Sequence, residues 1–487
     1  MTTTTATTGV GFRSERGPVL IGVMLATALV AIDSTIIATA VPSIVDDVGG
    51  FAEFPWLFSI YLLAQAVTVP VYGKLADVFG RKPVMLVGIG LFLLGSVLCG
   101  FAWSMGSLIA FRALQGLGAG AVQPMAMTIV GDLYSLAERA KVQGYIASVW
   151  AISSVVGPTL GGVFSEYVSW RWIFFVNVPF CLLAATMIGR RFTETVSRAR
   201  PRIDYAGAGL LTVGLTLVVL GLLEGGQAWA WASPQSVAVL TAGVVLLAVF
   251  VLVERRAADP VVPLSLFRHR LIVTTSLVSA AVGAVLLGLT TYVPTYVQEA
   301  LGTGPLVAGF ALAALTIGWP VSASLSGRLY LRIGIRATAL LGSLVVVAGA
   351  ALLLLLDASS SVVQVGATCF VIGLGMGLTA APTLIAAQSA VSWQQRGVVT
   401  GTNMFFRSMG SALGVAAFGA VVNGTLGSAS LESADVGPDA LTGAVHSVFL
   451  ATAGVAVLLL VAVLLMPRGD RPAAAQPATT ETTAAAG

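Results

Sequence analysis

Charge is what this chain has least of. Only 9% of its 487 residues are Asp, Glu, Lys or Arg, where a soluble domain carries about 25%. Set against a hydrophobic content of 57%, that scarcity excludes a water-soluble globular domain, a disordered chain and a coiled coil. One water-facing core cannot bury so many apolar side chains, because core growth stops near roughly 250–300 residues. A lipid bilayer is the solvent that suits them. Cysteine and histidine are scarce too. Cys99, Cys181 and Cys369 each sit inside an apolar run with no CxxC pair, and read as small buried hydrophobes. His269 and His446 are far apart, so no zinc cluster can be written and no metal or other cofactor is expected. There is no phosphate-binding G-x-x-x-x-G-K-[ST], no H-E-x-x-H and no pair of aspartates within one apolar run. These absences speak against an ATP-driven pump and against an enzyme. The net charge of +4 is carried in short loops beside apolar runs, which does not suit a nucleic-acid partner.

What is present is a series of apolar runs, each close to the roughly 20 residues that cross a bilayer as a helix. Fourteen spans are expected, over 18–41, 54–74, 83–102, 107–130, 141–163, 172–190, 205–223, 236–254, 272–296, 305–327, 336–356, 361–386, 398–422 and 443–466. Arg13 and Arg16 ahead of the first run, with Ala38-Thr39-Ala40 behind it, imitate a secretion signal; the run's length and its Asp33 argue for a retained span. If the N-terminus is cytoplasmic, all but three of the 25 Lys and Arg fall in cytoplasmic segments. The exceptions are Arg171, outside, and Arg112 and Arg407, within spans. This bias gives a multi-pass protein with both termini in the cytoplasm. The expected organisation is a tail at 1–17, six spans over 18–190, a linker with two further spans over 191–271, six spans over 272–466 and a tail at 467–487. Both tails, rich in Thr or in Ala, Thr and Pro, read as solvated and disordered. The five arginines of 190–204 are expected on the anionic inner leaflet, and the acidic stretch 423–442 forms the longest outer loop. A weak repeat supports the symmetry: Gly73-Lys-Leu-Ala-Asp77-Val-Phe-Gly80-Arg81-Lys82 has an echo in the stretch from Gly327 to Arg336, and parallel repeats mark one large class of transporters.

A few polar residues stand out against this background. Asp33 lies deep in span 1, where an ionisable group costs roughly 2.5–3.5 kcal/mol and marks a functional site by default. A carboxylate held between desolvation and a nearby cation can trade a proton for a cationic ligand. Arg112 in span 4, within Arg112-Ala-Leu-Gln115-Gly-Leu-Gly118-Ala-Gly120, needs a partner or a water cavity. Asp33 is its candidate partner, directly or through Gln115 and water. Asp77 and Arg81 flank the turn after span 2. They can pair with each other, or Asp77 can cap a helix from the facing half, so that Gly73, Asp77, Gly80, Arg81 and Lys82 form a gate. In span 5, Gly157-Pro158-Thr-Leu-Gly161-Gly162 combines a kink with close-packing glycines. Tyr61, Gln65, Gln123, Trp150, Tyr292, Trp319, Asn403 and Phe406 are candidates for cavity contacts with substrate. Arg407 in span 13 is a second cation within a span, with no evident partner.

Together these residues resemble the major facilitator superfamily, specifically its fourteen-span drug:proton antiporter family. The stretch from Gly73 to Lys82 resembles the superfamily's cytoplasmic-loop motif. The stretch from Arg112 to Gly120 resembles its span-4 motif, and Gly157 to Gly162 the span-5 motif of antiporters. Asp33-Ser-Thr35-Ile-Ile-Ala-Thr-Ala-Val-Pro42, and Trp170-Arg171-Trp172 through Asn177 to Pro179, are similar to the fourteen-span family's own signatures. The resemblance implies an all-α integral membrane fold of two six-helix bundles plus two extra helices. It implies monomeric export of amphipathic small molecules, drugs or antibiotics, from a bacterial cytoplasm in exchange for protons. Asp33 would take the proton and Arg112 would tune it. Asp77 would clasp the start of span 13 and stabilise the outward-open state, and Gly157 and Pro158 would form the hinge. The second loop has Leu331 where Asp77 has its counterpart, which implies a one-sided gate. Glu224 and Glu299 lie only at outer span ends, which points to one proton per cycle and leaves room for neutral or weakly charged substrates. Two other readings stay open from the residues alone. One is a proton-coupled nutrient symporter, and the other is a membrane scaffold or lipid-handling protein, for which two charges in the spans have no use.

Overall fold

The computed structural model describes residues 10–50, 53–54, 56–194, 204–225, 229–257, 259–357, 359–426 and 438–468. The first nine residues, the arginines Arg198, Arg200 and Arg202, most of the acidic outer loop and the tail from 469 lie outside the described residues, as does the side chain of Glu299. The described chain forms α1 Gly17–Val48, α2 Trp56–Phe79, α3 Arg81–Gly100, α4 Met105–Leu133, α5 Leu136–Tyr167, α6 Trp172–Phe175, α7 Asn177–Arg191, α8 Tyr205–Glu224, α9 Pro234–Glu254, α10 Arg270–Thr295, α11 Pro305–Ile333, α12 Ile335–Leu353, α13 Val362–Ser389, α14 Arg396–Leu426 and α15 Pro438–Leu464. With α6 and α7 together forming one span, 14 helices among the described residues are long and apolar enough to cross a membrane.

The helical outcome follows from the solvent. In hydrocarbon every backbone N–H and C=O must be satisfied within its own segment, and a helix does this. Hydroxyls inside the spans close onto their own helix, as Thr27 does on the Val23 carbonyl at 2.9 Å and Thr128 on the Pro124 carbonyl at 2.9 Å. Helix starts are marked by side chains that occupy the unpaired amides. Capping boxes form between Ser104 and Ser107, Ser135 and Glu138, and Ser361 and Gln364. Several helices outrun their apolar segments. α2 carries Lys74 and Asp77 in its last turns, and α5 begins at Leu136, ahead of the apolar run. α10 runs on beyond Thr295 through a π-helical turn, Tyr296–Ala300.

Packing divides by sequence. One set of buried cores joins α1 through α7, with Phe92, Met125 and Ile188 in one cluster and Ile36, Leu108 and Phe174 in another. A separate cluster joins α10 through α15, including Val282, Met376, Phe418 and Phe449. The inserted pair stands apart. Leu211, Leu215 and Val219 of α8 and Phe250 of α9 pack on Leu63 and Val67 of α2, with Phe405 and Met409 of α14 alongside. The pair therefore leans on the seam where the two six-span groups meet, while Val237, Val244 and Leu252 of α9 stay exposed as residues facing lipid do.

The sequence echo is a structural repeat. Gly80 and Gly334 end the second and tenth spans, α2 and α11, with nearly the same backbone, φ 100° and ψ 159° against φ 90° and ψ 159°. That region is essentially open to glycine alone. Each glycine then starts the next helix, α3 or α12.

Candidate functional site

Three clusters of polar residues interrupt the apolar interior. The first centres on Asp33 in α1. Arg112 of α4 donates from Nη1 to the Asp33 Oδ2 at 2.6 Å, and Gln115, one turn on, donates from Nε2 to Oδ1 at 2.7 Å. Arg112 also donates to Gln115 Oε1 at 2.8 Å and, from Nε, to the Leu57 carbonyl at 3.2 Å. Its guanidinium lies 4.1 Å from the centre of the Tyr61 ring. Asn177 at the start of α7 donates to Asp33 Oδ1 at 3.4 Å and to Ser96 Oγ at 2.9 Å; Ser96 in turn donates to the Phe174 carbonyl at 2.9 Å. Asp33 and Arg112 are each 1% exposed. Close helix approach sets this geometry: a Cβ on Gly95 of α3 would lie 2.6 Å from the backbone of Gln115. Isolated charges are prohibitive in such a place, but an ion pair whose remaining hydrogen-bonding groups are all engaged is tolerated. A 60 Å³ cavity between α1 and α5 is lined by Asn177, with Leu29, Ile32 and Val156 among its walls. It stops one hydrogen bond short of the carboxylate. The sequence reading missed the roles of Ser96 and Asn177; the signal was an Asn inside an otherwise apolar run.

The second cluster lies at the end of the bundle that carries the basic loops. Asp77 accepts from the backbone N–H of Gly397 at 2.9 Å and of Val398 at 2.8 Å, so it caps α14 from the facing half. Arg81, fully buried, donates to Asp77 at 2.9 Å and to the Trp393 carbonyl at 2.6 Å, pairs with Asp132 at 3.1 Å and stacks 3.7 Å from the Trp393 ring centre. Asp132 also holds Arg396 at 3.0 Å. Gly73 is needed here because a Cβ would meet the Gly397 carbonyl at 2.6 Å. Glu194 accepts from the backbone N–H groups of Arg81 and Lys82, both at 2.9 Å, and so caps α3. Tyr330 donates to the Leu136 carbonyl at 2.5 Å, and Gln388 to the Met127 carbonyl at 3.4 Å. Among the described residues, each hydrogen bond joining the two six-span groups lies at this end. Asp132, Glu194 and Trp393 carried no signal in the sequence beyond their nearness to basic loops.

The third cluster is the α1–α5 contact. A Cβ on Gly157 would meet Thr35 Oγ1 at 2.0 Å, and one on Gly161 would meet Thr39 Oγ1 at 2.2 Å, whereas Gly162 has nothing within 4 Å. Thr35 donates to the Ser153 carbonyl at 3.1 Å and Thr39 to the Pro158 carbonyl at 3.2 Å, one on each side of the proline kink. Near the C-terminal end of α1, Asp47 pairs with Arg171 at 2.5 Å and accepts from the Trp170 indole at 3.0 Å. Those hydrogen bonds, Arg171's first, hold its carboxyl below the usual carboxylate range.

The eight candidates for substrate contact separate by surroundings. Gln65 and Gln123 bond each other across α2 and α4 at 3.3 Å, and Trp150 and Trp319 are half-buried. Tyr61 is buried beneath Arg112, and Tyr292 packs edge-on against Phe418 in the core of the last six spans. Asn403 accepts from the Ser279 hydroxyl at 2.7 Å and donates to the Thr275 carbonyl at 3.1 Å, and Phe406 meets Phe267 in a tilted ring contact.

The profile of the Major Facilitator Superfamily matches residues 23–415. The chain is 35% identical over 417 residues to the multidrug transporter protein MdtP of Bacillus subtilis (strain 168), covering 86% of this chain and 77% of that one. It is 35% identical over 405 residues to multidrug resistance protein 3 of the same organism, covering 83% and 79%. It is 34% identical over 409 residues to the efflux pump dotC of Dothistroma septosporum, covering 82% and 69%. Among solved structures, the crystal structure of the human organic anion transporter MFSD10 (TETRAN) superposes with a TM-score of 0.66 at 17% identity, covering 92% of this chain and 99% of that chain; at that identity the likeness speaks to the fold alone. With fourteen spans arranged as two six-helix groups and an inserted pair, the chain belongs to the Major Facilitator Superfamily.

Proposed function

We propose that this protein is a proton-coupled antiporter that exports amphipathic small molecules, drugs or antibiotics, across the cytoplasmic membrane as a monomer. The basic loops and both termini face the cytoplasm. The bundles of 18–190 and 272–466 rock against each other, and 191–271 carries the extra pair. The printed names of the bacterial and fungal relatives support a drug as cargo. The observation that carries proton coupling is the Asp33–Arg112 pair, buried in the bundle and ringed by Gln115, Asn177 and Tyr61.

In this reading Asp33 takes a proton from outside, and its ion pair with Arg112 persists until cargo or conformation changes their contact. Protonation drives the cycle only if it favours one conformation over the other. Asp33 is sealed here, so exchange requires α1 and α5 to part at the Gly157, Pro158 and Gly161 contact, opening the cavity at Asn177 towards the carboxylate. In this reading the cytoplasmic side is held closed where Asp77 grips the start of α14. Arg81 and Asp132 hold that grip, and Gly73, Gly80 and Lys82 shape the turn beneath it. Gln65, Gln123, Trp150 and Trp319 meet the cargo, while Tyr61, Tyr292, Asn403 and Phe406 act from behind.

The experiment is accumulation of a fluorescent drug such as ethidium in everted vesicles acidified inside. Wild type should accumulate the dye, nigericin should abolish accumulation, and Asp33→Asn should lack it. Dye driven out of the vesicles by the same gradient would instead support the symporter reading.

A further inference from the structure

The two cations within the spans are treated differently by the fold. Arg112 has a carboxylate at 2.6 Å. Arg407, near the middle of α14, has no ion pair among the described residues; its one contact of this kind is the Trp319 ring of α11, 5.6 Å from the guanidinium carbon. The last six spans offer it nothing else. From Leu271 to Leu464 the acidic residues are Glu299, Asp357, Glu432, Asp435 and Asp439, all at outer loops or the span ends beside them. Within the spans, and among the described residues, Arg407 therefore stands as a positive charge with no carboxylate partner, on the half opposite Asp33.

The position of Arg407 on its helix places that charge between the bundles and away from lipid. Thr400, Met404, Arg407 and Ser411 form one stripe of α14 by helical spacing. At the lower end of the stripe Thr400 accepts from Gln388 of α13 at 3.0 Å, and the same amide reaches the Met127 carbonyl of α4. At the upper end Ser411 bonds the Gly283 carbonyl of α10 at 3.0 Å. Exposed Leu413 marks a different face, and Phe405 and Met409 pack towards α2 and α8. Arg407 and Trp319 are both partly exposed. On the facing wall Gln123 stands one helical turn above Met127 and is paired with Gln65.

An intramembrane cation without a protein partner is retained where it meets a charged ligand or water. A guanidinium presents a planar fork that matches a carboxylate or sulfonate with two parallel hydrogen bonds, and an indole beside it offers an apolar platform. We propose that Arg407, with Trp319, is the anion-binding subsite of the transport pathway, and that the cargo includes amphipathic monoanions bearing a carboxylate or sulfonate. The proposal rests on the exporter reading for the word cargo only; the binding site stands or falls by itself. It goes beyond the expectation of neutral or weakly charged substrates, because Asp33, the carboxylate deep in the spans, is already held by Arg112.

The test uses the full-length protein purified in detergent, with radiolabelled cholate as probe and cholate methyl ester and tetraphenylphosphonium as competitors. Wild type should bind cholate about tenfold or more tighter than the ester, the difference a charge-assisted fork supplies. Arg407→Gln should lose about tenfold or more of cholate affinity with ester binding unchanged, and Arg407→Lys should fall between. Equal binding of acid and ester by wild type, or cholate affinity unchanged in Arg407→Gln, overturns the assignment. So does a wild type that holds neither probe. The acid–ester comparison needs no variant, so it decides the matter even if Arg407→Gln misfolds. Counterflow in proteoliposomes separates the two claims. Tetraphenylphosphonium exchange without cholate binding leaves the exporter and removes the subsite. Arg407-dependent cholate binding with no counterflow of any probe leaves the subsite and removes the exporter.

Discussion

Arg112 and Asp33 meet at 2.6 Å with neither side chain more than 1% exposed, a distance and burial at which neither can lose its partner without leaving a charge stranded in the bundle. Removing one member of such a pair costs about 3–5 kcal/mol because it strands a charge, whereas removing both strands none and costs less than removing one. Arg112→Gln alone should therefore lower the melting temperature in detergent more than the Asp33→Asn, Arg112→Gln double variant does. Additive effects would mean the two side chains act separately.

The grip of Asp77 on α14 is a carboxylate at a helix N-terminus, worth up to about 2 kcal/mol where partly buried, or about thirtyfold in an opening equilibrium. Asp77→Ala should open the end of the bundle that carries the basic loops by about that factor. A cysteine placed at Gln388, which is buried and bonds the Met127 carbonyl of the facing half at 3.4 Å, should then react faster with a hydrophilic maleimide added from that side. Cys99, Cys181 and Cys369 are buried and compete little for the label. An unchanged rate would show that Asp77 does not hold the closed state.

Gly157 and Gly162 look alike in sequence and differ in space. Gly157→Ala forces its new methyl group onto Thr35, at a cost of about 1–3 kcal/mol by overpacking, and should lower both stability and drug efflux. Gly162→Ala meets nothing within 4 Å and should leave both nearly unchanged. Equal losses in the two variants would remove the α1–α5 contact from the mechanism.

Gly334 has open space where a Cβ would stand, yet its φ of 90° is foreign to residues with a side chain. Gly334→Ala should cost about 1–3 kcal/mol by backbone strain alone, and Gly80→Ala a similar amount, both read as a fall in melting temperature. A neutral Gly334→Ala would mean the second turn relaxes where the first cannot.

These relations were legible in the sequence to very different degrees. The fourteen spans were, because each apolar run must satisfy its own backbone in lipid and the helices follow the runs. Asp33 and Arg112 were, because each is a charge where charge is costly, and with so few such residues the candidates for partnership were few. What could not be read was which neutral groups complete the site. Ser96, Asn177 and the Leu57 carbonyl reach the pair only through the crossing of α1, α3, α4 and α7, which no local spacing encodes. The other half of the Asp77 clasp is hidden for the same reason: its partners are the backbone amides of Gly397 and Val398, and an amide has no signature in sequence. Asn403 shows the converse, since a polar residue within a span satisfies itself as readily on a neighbouring helix as on a ligand.

The central claim is that cargo and proton compete through Asp33, and the most direct measurement is the proton released when substrate binds. In weakly buffered solutions of purified protein over a series of pH values, adding a saturating transported drug should release up to about one proton per protein from wild type at the pH where release is largest, by linkage between the two sites. The same addition should release none from Asp33→Asn, with the drug still bound. Equal proton release from both proteins would contradict the account.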